Sequence, residues 1–129
     1  MSVHVHPVDI LIYYDPNSDV GKKTIAYARS MTSHVNAVEY HKTEYTLTQW
    51  SELVGMLGMK AKDLLNKSHP KYQELIRGNN FTDQDWLEVL KHNPDLIIAP
   101  IAVRAGRAVL CKTPSEVLKL EISKPFSIK

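Results

Sequence analysis

Val8-Asp9-Ile10-Leu11-Ile12-Tyr13-Tyr14 runs into Asp15-Pro16-Asn17-Ser18-Asp19 and then into Val20-Gly21-Lys22-Lys23-Thr24. The reading of these residues decides the fold. The first seven are rich in β-branched and aromatic side chains and read as a strand. Alternation sends Ile10, Ile12 and Tyr14 to one face and Asp9, Leu11 and Tyr13 to the other, so both faces are apolar and the strand is central. Pro16 marks a turn. Ser18 reads as a helix N-cap with Asp19 set against the dipole, ahead of a helix from Val20 to Met31 on which Val20, Tyr27, Ala28 and Met31 recur at helical spacing. A strand, a tight turn and a helix N-terminus leave backbone amides without intrahelical partners at the positive end of a dipole, which suits an anion. The same field stabilises a thiolate, and many redox folds place a cysteine there. This chain has Ser18.

Working outward, Val35 to His41 reads as a second short strand carrying Val35, Val38 and Tyr40. Thr46-Leu47-Thr48-Gln49 is a capping-box pattern, and Leu47, Trp50, Leu53, Val54 and Leu57 follow on one helical face, ended by Gly58. Leu64 and Leu65 are expected in a shorter helix closed by His69-Pro70. Tyr72, Leu75 and Ile76 mark another, ended near Gly78, and Thr82 caps a further one carrying Trp86, Leu87 and Leu90 and stopped by Asn93-Pro94. From Thr46 to Asn93 the pattern is helical throughout. Sheet character returns at Ile101-Ala102-Val103, turns at Arg104-Ala105-Gly106-Arg107 and comes back as Ala108-Val109-Leu110-Cys111. Thr113-Pro114-Ser115-Glu116 has the form of a helix start, extended by Val117, Leu118 and Leu120.

The order is a parallel strand pair, a helical insert at about 46–93, an antiparallel hairpin and a closing helix. It predicts one α/β domain over 1–129 with a mixed four-stranded sheet and the insert between strands 2 and 3, a thioredoxin-like or glutaredoxin-like layout. Pro100 precedes the third strand, where this layout leads us to expect a cis peptide bond facing the start of the first helix.

The chain resembles the ArsC/Spx family of glutaredoxin-like proteins, which includes the glutathione/glutaredoxin-coupled arsenate reductases. The resemblance rests on Ile12-Tyr13-Tyr14-Asp15-Pro16, Leu64-Leu65-Asn66-Lys67, Phe81-Thr82-Asp83, Ala99-Pro100-Ile101-Ala102-Val103 and the run Leu110 to Val117, in that order. It implies a thiol-dependent reductase with a cysteine at the first turn and arginines around an oxyanion. Carried over position by position, that cysteine is Ser18, the arginines fall on Asn66, Ala99 and Lys112, and only Lys112 keeps its charge. The Spx-like regulators carry two cysteines at the turn, and those places are Ser18 and Gly21. A serine hydroxyl forms no mixed disulfide, and asparagine and alanine cannot grip an oxyanion as an arginine fork does. The expected activity is therefore an arsenate-reductase-like protein without its reductase chemistry, keeping at most a weak anion, thiol or peptide site at the Ser18 turn. The resemblance leaves two alternatives open: an oxidoreductase that uses Cys111 or glutathione, and an Spx-like regulator of RNA polymerase.

The formal net charge of +2 is too small to argue for nucleic acid or an anionic membrane. The candidate partners are a protein, a small anion or a thiol such as glutathione. The 129 residues include a single cysteine, so no internal disulfide and no Cys-x-x-Cys motif exist. The first residues lack the form of a signal peptide, and a cytoplasmic location is expected.

Ser18, Asp19, Val20, Gly21, Lys22 and Lys112 are the candidate anion-binding residues, with Lys23 a further source of charge. Ser18 reads more simply as a cap, and Gly21 would let an anion approach the backbone. Cys111 reads as a small buried hydrophobe. Trp50 and Trp86 read as core. His4 and His6 sit two apart near the terminus, but two ligands do not make a zinc site, and no metal is expected.

Overall fold

Ile10–Tyr14 forms β1, with neighbours on both sides, in the computed structural model, which describes residues 9–77 and 80–121. β2 (Val35–Glu39) lies parallel to it, with Ile12 opposite Ala37. β3 (Ile101–Arg104) lies antiparallel on the other side, with Ile12 opposite Ala102, and β4 (Arg107–Leu110) pairs with β3. The order β2-β1-β3-β4 is the mixed thioredoxin-like sheet expected from the sequence.

Both faces of β1 are covered, as its unbroken apolar character requires. Ile10 and Ile12 join Ala102 and Cys111 under α1 (Asp19–Met31) and the 3-10 helix Pro114–Leu120, which meet them with Ile25, Ala28, Val117 and Leu120. Leu11 and Tyr13 join Ile101, Val103 and Leu110 under the helical insert. That insert holds α2 (Leu47–Leu57), a 3-10 turn at Ala61–Leu64, α3 (Pro70–Ile76), α4 (Asp83–His92) and a 3-10 turn at Pro94–Leu96. Trp50 and Trp86 are both buried there. Each fully buried large side chain contributes about 1.5–3 kcal/mol relative to exposure, so the insert is held by its apolar face rather than by helix propensity.

The caps form as the local sequence dictates. Thr46 and Gln49 make both halves of a capping box, as do Thr82 and Asp85, and Gly58 closes α2 in the left-handed region. The β3–β4 turn places Ala105 and Gly106 at φ of 52° and 77°, the mirror-image geometry that follows the twist of a hairpin.

Four departures have physical causes. The second strand stops at Glu39, because Tyr40 enters a 3-10 turn (Tyr40–Lys42) that carries its ring inward. Leu65 is not helical: it forms an antiparallel bridge with Ile97, held by Asn66 N to Leu96 O and Ile98 N to Leu64 O, both 2.7 Å. His69-Pro70 starts α3 instead of ending a helix. Pro70 occupies the first position, where a missing N–H costs nothing, and the His69 ring accepts from Lys71 N at 3.0 Å. The closing helix is 3-10, and Thr113 makes no side-chain cap. Its far end is held by the hairpin: Arg107 donates to the Lys119 carbonyl at 3.0 Å and Arg104 to the Leu120 carbonyl at 3.4 Å. Val8, His4, His6, the expected stop at Gly78 and the tail from residue 122 lie outside the described residues.

Candidate functional site

The turn between β1 and α1 is closed on itself. Ser18 N donates to Asp15 O at 2.9 Å, and Asn17 N donates to the Asp15 carboxylate at 2.9 Å. Ser18 has extended backbone, its Oγ accepts from Gly21 N at 3.1 Å, and its carbonyl accepts from Lys22 N at 3.2 Å. Ser18 is thus the N-cap. The amides of Asp19 and Val20 are left without an acceptor among the described residues. The charges around them oppose one another: Asp15 and Asp19 are as exposed as Lys22 and Lys23.

Gly21 serves packing rather than ligand approach. Its amide is taken by Ser18, and a Cβ built on it would lie 3.2 Å from Tyr14 Cβ and Cδ2 and 3.3 Å from Asp15 O. The missing side chain lets the first turn of α1 seat against the end of β1. Gly21→Val is therefore expected to destabilise the fold by about 1–3 kcal/mol through overpacking against a backbone oxygen. The denaturant midpoint checks it, and an unchanged midpoint would show that the turn can shift.

The remaining family positions are Asn66, Ala99 and Lys112. Asn66 is set next to Leu96–Ile98 by the Leu65–Ile97 bridge, and its side-chain oxygen accepts from Ser68 N at 3.0 Å. Ala99 is buried, and its carbonyl accepts the Tyr40 hydroxyl. A cleft of about 480 Å³ brings Asn66, Lys67, Lys112, Met59, Leu65 and Ile98 together, while Ser18, Asp19, Val20, Gly21 and Lys22 are not among its walls. Asn66 and Lys112 thus share walls of one cleft, and the residues of the Ser18 turn are not among them.

Two findings concern the loop before β3. The Ala99–Pro100 bond is trans, since no cis bond occurs among the described residues, and the expected cis proline is thereby corrected. Trans is the intrinsic preference by about 0.5–1 kcal/mol. Here the loop also finds partners in that form, with the Pro100 carbonyl accepting from Cys111 N at 2.7 Å and the Ala99 carbonyl from Tyr40. Tyr40 is the residue that sequence reasoning missed. Burial, then the Asp15 charge, then Cys111, hold its phenol far above the usual tyrosine range, so it stays a neutral donor. Nothing local signals this, because its acceptor lies 59 residues away.

The family model for the ArsC family matches residues 13–120. The chain belongs to the ArsC family. It is 30% identical over 115 residues to the arsenate reductase of Escherichia coli K12, covering 88% of this chain and 80% of that one. It is 24% identical over 110 residues to the arsenate reductase of Rhizobium meliloti, covering 84% and 78%. The arsenate reductase structure from Vibrio cholerae superposes with a TM-score of 0.81 at 22% identity, over 89% of this chain and 99% of that one, a likeness of fold.

In this ArsC-family chain the sole thiol is closed off. Cys111 is 0% exposed, and burial first, with Glu116 adding to it, pushes the thiol up from its ordinary 9.0 to about 12. Lys112 beside it is exposed, in the bend that follows β4, where its amide donates to the Leu110 carbonyl at 3.2 Å. Tyr45 is likewise pushed up to about 12 by burial. These groups are neutral in the folded chain and ionise more readily when unfolded. The stability they contribute is complete below a pH of about 9 and is lost as the pH rises towards about 12. The melting temperature is expected to hold to a pH of about 9 and fall above it, with a shallower initial fall in Cys111→Ala; melting temperatures measured across that pH range test this, and a flat profile to a pH of about 11 would contradict it.

No group of three potential metal ligands comes together among the described residues. His34, His41 and His92 each face a single carboxylate at 4.0, 3.1 and 3.8 Å, and His69 is a cap. Among the described residues no helix is long and apolar enough to cross a membrane.

Proposed function

We propose that this ArsC-family chain binds a ligand or partner and does not reduce arsenate. The observation that carries the reading is Cys111, the only cysteine of the chain and fully buried, with its acidity pushed to about 12. Arsenate reduction through a protein thiol needs a thiolate that attacks arsenic and is then resolved by a second thiol. Ser18 cannot form that intermediate, and as the cap of α1 its Oγ is already engaged as an acceptor. No imidazole or free carboxylate bonds to it among the described residues to make it a nucleophile.

The retained binding role belongs in the cleft of Asn66 and Lys112. It offers two exposed ammonium groups, Lys112 and Lys67, the second paired with Asp63 at 3.9 Å, an amide, and an apolar wall of Met59, Leu65 and Ile98, of which Ile98 is 46% exposed. Lysines are point charges, and Lys67 is shared with Asp63, so an inorganic oxyanion is held weakly there. The Ser18 turn is the poorer candidate, because Asp15 and Asp19 stand beside its two free amides.

The test is arsenite production with arsenate, glutathione and glutaredoxin, run on the natural chain and on Cys111→Ala. No arsenite above the protein-free control is expected from either. Turnover by the natural chain that Cys111→Ala abolishes would establish the oxidoreductase alternative. Turnover by both would overturn the argument from thiols altogether.

A further inference from the structure

We propose that His69 is a pH-sensitive latch. While neutral it holds the start of α3 and the Asn66–Ser68 wall of the Lys112 cleft in one arrangement, and on taking up a proton it releases both. Its ring Nδ1 accepts from Lys71 N at 3.0 Å, its carbonyl accepts from Gln73 N at 3.1 Å, and its own amide donates to the Asn66 carbonyl at 3.1 Å. His69 is thus both the cap of a seven-residue helix and the last residue of the turn that begins at Asn66. Gln73 ties the two a second time, its Nε2 donating to the Lys67 carbonyl at 2.6 Å. Within the turn, Ser68 N donates to Asn66 Oδ1 at 3.0 Å and so sets the direction of the Asn66 amide. Asn66, Lys67 and Ser68 are all walls of the cleft.

A histidine cap differs in kind from serine, threonine or asparagine. The nitrogen that accepts the hydrogen bond is the one that takes the proton. Once protonated, the ring turns an N–H towards the N–H of Lys71, and its charge stands at the positive end of the helix dipole. Both effects oppose the capped geometry. The cap is therefore complete above the pH range in which histidines titrate, and it is lost as the pH falls through that range. A short helix has few internal hydrogen bonds, so its cap is a large share of what holds the first turn. The neighbouring elements add no carboxylate to hold a charged ring. Asp95 of the Pro94–Leu96 turn is paired with Lys71 at 3.7 Å and Asp63 of the Ala61–Leu64 turn with Lys67 at 3.9 Å, while Glu74 and Arg77 sit further along the α3 segment. His34, His41 and His92 each lie within 4.0 Å of a carboxylate, and among the described residues His69 has no such partner. The latch itself stands on these hydrogen bonds. Its consequence, a pH-dependent affinity of the cleft, rests on the binding reading.

The test follows amide exchange at Lys71, Gln73 and Ser68 by NMR from a pH of about 7.5 to about 5, across the histidine range. Each rate is divided by that of an unprotected amide at the same pH, in the natural chain and in His69→Asn. Asparagine is a preferred cap and does not titrate. In the natural chain, protection at all three amides is expected to fall at least about fivefold over this interval, the change that loss of one cap makes in a local opening equilibrium. In His69→Asn it is expected to change by less than about twofold, although His34, His41 and His92 still titrate there. His69→Asp, a second cap whose titration lies below this interval, is expected to match His69→Asn. Equal profiles in the natural chain and both variants would overturn the latch, as would protection in the natural chain that does not fall. A fall confined to Lys71 and Gln73 would overturn the link to the cleft. The arsenate assay reads none of these amides, so failure here leaves the thiol argument standing.

Discussion

Cys111 in the folded chain is expected to react with iodoacetamide at pH 8 at no more than about one-thousandth of its rate in the denatured chain. The thiolate is the nucleophile, and each unit by which its pKa rises removes the thiolate about tenfold at a pH below both values. Burial with Glu116 nearby raises Cys111 from 9.0 to about 12, and its complete burial removes access as well. Its backbone amide is tied to the Pro100 carbonyl at 2.7 Å, and the residue is walled by Ile10, Ile12, Ala102 and Val117. Reaction in the native state therefore waits for opening of the face between the sheet and α1. Alkylation followed by mass, with and without denaturant, checks the ratio. Rates within about tenfold of each other would mean that this face opens far more readily than its packing implies.

Ser18→Cys is expected to give a thiol that reacts at least about a hundredfold faster than Cys111, yet to yield no arsenate turnover with glutathione and glutaredoxin. Position 18 is partly exposed at the start of a 13-residue helix, where a thiol meets solvent and the N-terminal dipole, although Asp15 and Asp19 oppose that field. The missing activity follows from the second half of the site. The resemblance places arginines at Asn66 and Ala99, and a hydrogen bond to a charged group is worth about 1.5–3 kcal/mol. Losing two weakens oxyanion binding by roughly two to four orders of magnitude. The Asn66 oxygen already accepts from Ser68 N, and Ala99 is enclosed with its carbonyl on Tyr40. Substantial turnover from the single substitution would mean that Lys112 alone can hold arsenate for attack.

What the sequence made legible was what neighbouring residues decide. β1 is apolar on both faces, α2 carries a stripe and a capping box and α4 a stripe and a Thr82 cap, Ser18 sits where a cap belongs, and Ala105-Gly106 takes the hairpin geometry. What stayed hidden depends on groups far apart in the chain. Leu65 looks helical until Ile97 is beside it, and His69-Pro70 looks like a stop until α3 is seen to begin there. Gly21 looks open until Tyr14 fills the space over it. Tyr40 reads as a strand residue, yet it leaves the sheet to bond Ala99, beside the trans bond to Pro100. The candidate site was legible as a set of positions; that the Ser18 turn is bonded to itself and that Asn66 and Lys112 line one cleft was not.

The same geometry ties fold to proposed function. The turn where the resemblance places a thiol is here spent on ending β1 and starting α1, with Ser18, Gly21 and Tyr14 as its parts. The cleft of Asn66 and Lys112 keeps its place through the Leu65–Ile97 bridge, which does not depend on that chemistry.

The central claim is that no thiol of the native chain can enter exchange. Its most direct test is the intact mass of the natural protein after incubation with oxidised glutathione at neutral pH, followed by peptide mapping. The account predicts an unmodified chain. A glutathione adduct on Cys111 under conditions where the protein remains folded would contradict it.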